Sequence, residues 1–301
     1  MFLNWLGTLP GAAAQGIIWG IMAIGVYITY RILDIADLTV DGSICTGGAT
    51  FTMLLLAGLP IPLCLLIAFL AGTLCGLVTG IFHTFLGIPA ILAGILTQLI
   101  LWSVNLKIMG RSNVAIPGRN FDLWVSALLP SWQTLLVLIA IVTVLIALLY
   151  WFFGTEFGTS LRATGNNLSM SRAQGINTDW TKIFGLAFSN GLVGLAGALL
   201  FQYQGGSDVK KGQGAIVIGL AAIIIGDAII SKISQNFAVR LLGVVLGGII
   251  YFFVYQTVIF LGFDSDLLKM LSAIVVAIFL GLPYLKKKYF TNKKREGKRN
   301  A

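Results

Sequence analysis

Polar side chains held inside hydrophobic runs are the ones able to recognise a solute, and this sequence has few of them. Gln98, Trp102 and Asn105 fall at i, i+4 and i+7 on one helical face, with Gly94 a turn earlier. A buried amide is costly unless paired, so this face must look into a bundle or cavity, where it either meets a solute or bonds a neighbouring helix. Asp227, in AIIIGDAII, is the acidic residue most enclosed by apolar sequence. It either serves the movement of an ion or solute, or pairs with Lys232 or Arg240. Upstream, DIADLTVDGSICTGGAT places Asp34, Asp37 and Asp41 within eight residues. Either this is an ordinary loop in which Asp41 caps the next helix, or it is irregular backbone dipping into the membrane, which is tolerated only where protein or water surrounds it. GIPAILAG, with Pro89 two residues after Gly87, leaves the same choice open.

Catalytic constellations are missing. His83 is the single histidine, at the end of an apolar run, so neither a His-based metal cluster nor a Ser-His-Asp arrangement can be assembled beyond it. No GxxxxGK[ST] occurs, so ATP is not bound through a P-loop of this chain. Cys45, Cys64 and Cys75 lack CxxC spacing and read as small hydrophobes.

The elements that must position these residues are membrane helices. Of 301 residues, 57% are hydrophobic and 10% charged, against roughly 25% charged in soluble domains. The pattern predicts an all-α polytopic bundle of about nine spans, eight to ten at the limits: 12–33, 43–59, 61–83, 89–108, 131–153, 183–202, 214–231, 238–260 and 267–285. The second and seventh are short and are expected to be tilted or broken. Residues 1–285 read as one transmembrane domain and 286–301 as a basic tail. Rows at Gly72, Gly76 and Gly80, at Gly243 and Gly247, at Gly16 and Gly20, and at Gly191, Gly194 and Gly197 predict close helix packing.

Eight of the twenty Lys and Arg residues lie between Lys286 and Arg299, so most of the net charge of +9 sits there. A basic tail after a final span is held at the cytoplasmic side by the positive-inside rule and anionic lipid, without any need for nucleic acid. Alternating backwards puts the N-terminus outside and residues 154–182 inside, with fourteen basic residues inside against six outside.

Residues 154–182, GTEFGTSLRATGNNLSMSRAQGINTDWTK, form the longest polar segment before the tail. Asn166 or Asn167 caps a helix of about two turns over Leu168 to Gln174, and Gly175 stops it in the left-handed conformation. So short a helix between two spans has little core of its own and is expected to pack on a partner.

The run LRATGNNLSMSRAQGINTDWTKIFGLAFSNGLVGLAGALL resembles the cytoplasmic loop and following span of permease subunits of ATP-binding-cassette importers of the branched-chain amino acid and ribose type. The matching residues are Ala163, Gly165 and Asn167, then Gly175, Ile176 and Asn177, then Gly191, Gly194 and Gly197. DLTVDGS at Asp37 to Ser43 and GAIVIGLAAIIIGDAI at Gly214 to Ile229 agree in order, and the LTVDGS and NLKIMG stretches, the latter at Asn105 to Gly110, are similar to those of tryptophan/tyrosine-type permeases. The resemblance implies a bacterial plasma-membrane permease that imports a small solute, an amino acid in the first instance. It implies two ATPase subunits that hold ATP and Mg, with no cofactor on this chain, together with an extracytoplasmic binding protein and a second permease copy or paralogue. Arg162, Gly165, Asn166, Asn167, Leu168, Met170, Arg172 and Gly175 would then contact the ATPase, and Asp41, Gln98, Trp102, Asn105 and Asp227 would be candidates for the pathway. The alternative is a self-contained secondary transporter or channel, against which stands the shortage of charges inside the spans.

Overall fold

A computed structural model describes residues 2–117, 121, 123–129, 131–230 and 236–261, with isolated positions between 270 and 281. Ten α-helices follow in order: α1 (Phe2–Tyr27), α2 (Val40–Leu56), α3 (Ile61–Thr84), α4 (Ala90–Met109), α5 (Ser131–Gly154), α6 (Glu156–Asn166), α7 (Leu168–Ala173), α8 (Thr178–Gln204), α9 (Ala215–Ile230) and α10 (Phe237–Phe260). Among the described residues, seven segments are long and apolar enough to cross a membrane, and α2 is a shorter apolar helix of 17 residues. The fold is therefore a polytopic helical membrane protein. Of the nine spans expected, eight correspond to these helices, while 267–285, Lys232 and the basic tail 286–301 lie outside the described residues apart from a few positions of the ninth span.

Two boundaries move. The first helix runs to Phe2 instead of starting near residue 12, and Trp5 Nε1 donates to Thr257 Oγ1 at 3.3 Å, fastening its early turns to α10. The span expected from residue 183 starts at Thr178, because the Asn177 side chain accepts from the Asp179 and Trp180 backbone N–H groups.

Helices α1 and α8 are the innermost elements, most of each being buried inside the chain itself. Helix α8 is flanked by α3, α2 and α1, and α1 in turn by α10, α9 and α5. Small residues let the backbones meet: Gly72 and Gly76 of α3 lie directly on the Asn190 and Leu186 carbonyls of α8, and Gly47 of α2 lies on Gly194. On the other side Gly16 of α1 faces the Ile249 backbone of α10. Any side chain at these points would meet backbone, which cannot turn aside, so the glycine rows work as the sequence suggests.

The ends of the bundle differ. At one end α6 and α7 cross beneath the helices. At the other, β1 (Asn113–Ala115) pairs antiparallel with β2 (Gly206–Asp208), Val114 opposite Ser207. Helix α8 joins the two ends over 27 residues, roughly 40 Å at 1.5 Å per residue.

Candidate functional site

The α6–α7 end is built by three caps in succession. Thr155 Oγ1 accepts from the Gly158 N–H at 3.4 Å and opens α6; Asn167 Oδ1 accepts from the Met170 N–H at 3.0 Å and opens α7. Gly175 takes φ +81° and closes the turn, after which Asn177 opens α8. The Asn167 cap and the Gly175 stop fall where the sequence puts them. What the sequence did not reveal is α6, eleven residues of helix ahead of the cap. Its apolar content is low, and only Gly158, Leu161 and Thr164 are buried.

The residues proposed for partner contact separate into two groups. Leu168 and Met170 are exposed, and Arg172 reaches back to α8, donating to Thr178 Oγ1 at 2.8 Å and to Asp179 Oδ1 at 3.2 Å. Arg162 turns inward instead: its guanidinium lies 5.2 Å from the Phe153 ring centroid and 4.5 Å from that of Phe237, tying α6 to α5 and α10. Partial burial there lowers its pKa from the usual arginine value. Gly165 rests directly on the Ile32 carbonyl, where a short π-helical turn, Ile28–Ile32, ends α1.

From that contact the chain runs as a non-helical strap, residues 33–39, into the bundle. Asp34 has φ +55°, left-handed for a residue other than glycine. Asp37 is 2% exposed; its carboxylate accepts from the Thr39 N–H at 2.9 Å and from Asn190 Nδ2 at 2.6 Å. Ser43 Oγ donates to Asn190 Oδ1 at 2.6 Å, and the Thr39, Thr79 and Thr97 hydroxyls link α2 to α3 and α4. The Asp37–Thr39 end of the strap thus lies against α3, α4 and α8, while Asp34 and Ala36 remain exposed. A cleft of about 390 Å³ opens beside it, lined by Asp34, His83, Gly165, Leu168 and Lys182 among others. His83 Nδ1 sits 2.9 Å from the Ile88 carbonyl oxygen in the α3–α4 turn. Asn190 was not picked out from the sequence; an amide among the closely spaced glycines of an apolar span was the available signal.

Asp41 does not cap its own helix. From the first turn of α2 its carboxylate accepts from the Gly214 N–H at 2.8 Å and the Ile216 N–H at 2.9 Å, capping α9 from 173 residues away. Cys45, one turn on, accepts from the Gly212 N–H at 3.2 Å. Both α2 and α9 therefore begin inside the bundle with an aspartate at the start, satisfying N–H groups that lipid would leave bare. Asp227 is placed differently from expectation: its ion pair is with Arg31, at 3.8 Å, Lys232 being outside the described residues. Helix α4 packs on α2, with Gly42 against the Leu101 side chain and the Gln98 backbone; Asn105 is 1% exposed, and Trp102 packs near Ala49 and Met109. The structure thus sets α4, with Gln98, Trp102 and Asn105, against α2, which carries Asp41, and leaves Asp227 on α9 beside Arg31.

Comparison with known proteins agrees with this architecture. The family described as "Branched-chain amino acid transport system / permease component" matches residues 9–280. The chain is 40% identical over 267 residues to a tyrosine transport system permease protein of Clostridioides difficile, covering 88% of each. It is 34% identical to an uncharacterized protein of Rickettsia prowazekii, covering 91% of this chain and 97% of that one. An autoinducer 2 import system permease protein of Yersinia pestis is 29% identical over 73% of this chain and 61% of its own length. No solved structure matches the chain.

Proposed function

Given that the chain belongs to the branched-chain amino acid transport permease family, we propose that it carries an amino acid into a bacterial cell while a separate ATPase subunit, docked on α7, hydrolyses ATP. The likeness to a tyrosine transport system permease protein supports an amino acid and makes tyrosine the first candidate. An extracytoplasmic binding protein would deliver the solute at the ribbon end, and a second permease copy would complete the assembly.

The observation that carries this reading is the unbroken contact from α7 to the interior. Exposed Leu168 and Met170 offer a docking face, the Asn167 cap joins α7 to α6, and Gly165 bears on the Ile32 carbonyl at the root of the strap. The strap ends at Asp37, whose bond to Asn190 ties it to α8. A partner that closes on α7 would therefore push on the start of α2, which carries Asp41 and packs on α4 through Gly42, and bias one packing of the bundle over another. Arg162, held by two aromatic rings, keeps α6 attached while α7 is engaged.

Replacing Asn166 to Gly175 with a flexible Gly/Ser linker tests the proposal. The chain should still insert, but the ATPase should no longer co-purify with it. Undiminished co-purification would show that α7 is not the contact.

A further inference from the structure

We propose that Thr52, Asn105 and Gln202, beneath the β1–β2 ribbon, form a binding station for a zwitterionic amino acid, with Lys211 at its rim. The inference rests on the permease reading and goes further by naming residues and solute chemistry.

Thr52 and Gln202 are 0% exposed and Asn105 is 1% exposed, yet Thr52 Oγ1, Asn105 Oδ1 and both polar atoms of the Gln202 side chain have no hydrogen-bond partner. In an apolar interior such groups carry the full cost of lost hydration, and native proteins keep them rarely. These three stand on three helices, α2, α4 and α8, and the contacts of their neighbours bring them to the same end of the bundle. Gly48, one turn before Thr52, lies directly on the Phe201 ring, and Gln202 is the next residue along. Met109, one turn after Asn105, touches Ser207 of β2, and Ala49, Met109, Val114 and Val209 form one buried cluster under the ribbon.

The chemistry of the group is specific. A glutamine amide has two donors and an acceptor, the asparagine carbonyl accepts, and threonine does both. Together they suit a small solute carrying ammonium and carboxylate. Lys211 supplies the anion-binding element: its ammonium lies 5.6 Å from the Phe201 ring centroid and bonds the carbonyl of Gly206, the first residue of β2, at 3.5 Å. The ribbon above is only three residues per strand, and so short a pair is marginal on its own. It is thus suited to lift for a solute and close behind it.

The test is uptake of radiolabelled tyrosine by proteoliposomes holding the chain with its ATPase and binding protein. Gln202→Met and Asn105→Leu should each lower uptake tenfold or more, while leaving ATPase co-purification intact and the melting temperature unchanged or higher, since an orphaned polar group is being removed. Uptake within twofold of wild type in both variants would overturn the proposal, as would a fall in uptake matched by a fall in melting temperature. Asn113→Cys with Asp208→Cys, facing partners in the ribbon, should block uptake on oxidation and release it on reduction; uptake indifferent to that cross-link would overturn the role of the ribbon. A wild-type chain with no ATP-driven uptake beside its partners would overturn the permease reading itself, and the station with it.

Discussion

Gly165→Ala adds one methyl group at the point where α6 meets the end of α1, and its effect can be worked from the contact. The new Cβ would overlap the Ile32 carbonyl oxygen and crowd the Leu33 Cα. All of these are backbone atoms, so relief requires moving α6 or the strap. Overpacking of this kind costs about 1–3 kcal/mol, and 2 kcal/mol corresponds to roughly a thirtyfold loss in the population of the packed arrangement. Because α7 stays capped and exposed, the ATPase should still bind. What should fail is transmission: ATP hydrolysis by the reconstituted complex should lose its stimulation by loaded binding protein, and uptake should fall at least tenfold. Gly154→Ala is the matched control, since a Cβ there has nothing within 4 Å. Its activity should equal that of wild type. If Gly165→Ala remained fully coupled, the α6-to-strap contact would not be the route by which motion enters the bundle.

Other perturbations follow from single contacts. Asn167→Ala removes the α7 cap and should cost about 1 kcal/mol locally, seen as faster hydrogen exchange at the Met170 amide, whereas Asn167→Asp should preserve protection. Arg162→Gln loses the stack on Phe153 and Phe237, worth about 1–2 kcal/mol, and should lower the melting temperature in detergent by a few degrees. Asp41→Ala strips the cap from α9 and should destabilise by about 2–3 kcal/mol, the range for hydrogen bonds to a charged group, measured as lost monodisperse protein on heating; Asp41→Asn should do less harm. Asp227→Asn should change stability by less than about 1 kcal/mol, because the Arg31 pair is partly solvated.

What the sequence made legible was local. Asn167 and Gly175 declare a short helix because a cap and a left-handed stop each depend on residues within a turn. The row Gly72, Gly76 and Gly80 declares a packing face because a spacing of four keeps one side of a helix smooth. Partners distant in sequence were not legible. Asp41 reads as a cap for its own helix, and nothing nearby says that α9 will present its bare N–H groups beside it. Asp227 has basic residues close in sequence, yet the bundle offers it Arg31 from the end of α1. Arg162 looks like one more positive charge at a membrane edge until Phe153 and Phe237 close on it. Helix α6 went unseen because its buried face is only Gly158, Leu161 and Thr164, with a single large apolar residue among them to mark a period.

The polar anchor of α8 also bears on how the chain is made. Asn190, Ser189 and Gln202 are polar groups inside this span, and a translocating helix with such groups gains from partners already in the bilayer. Its partners are all synthesised earlier: Asp37 and Ser43 bond Asn190, and the Gly25 carbonyl accepts from Ser189 at 2.7 Å. The N-terminal half thus acts as a template that receives α8 as it leaves the ribosome. Loss of Asp37 should accordingly be felt first as failed insertion of the second half, before any solute is offered for transport.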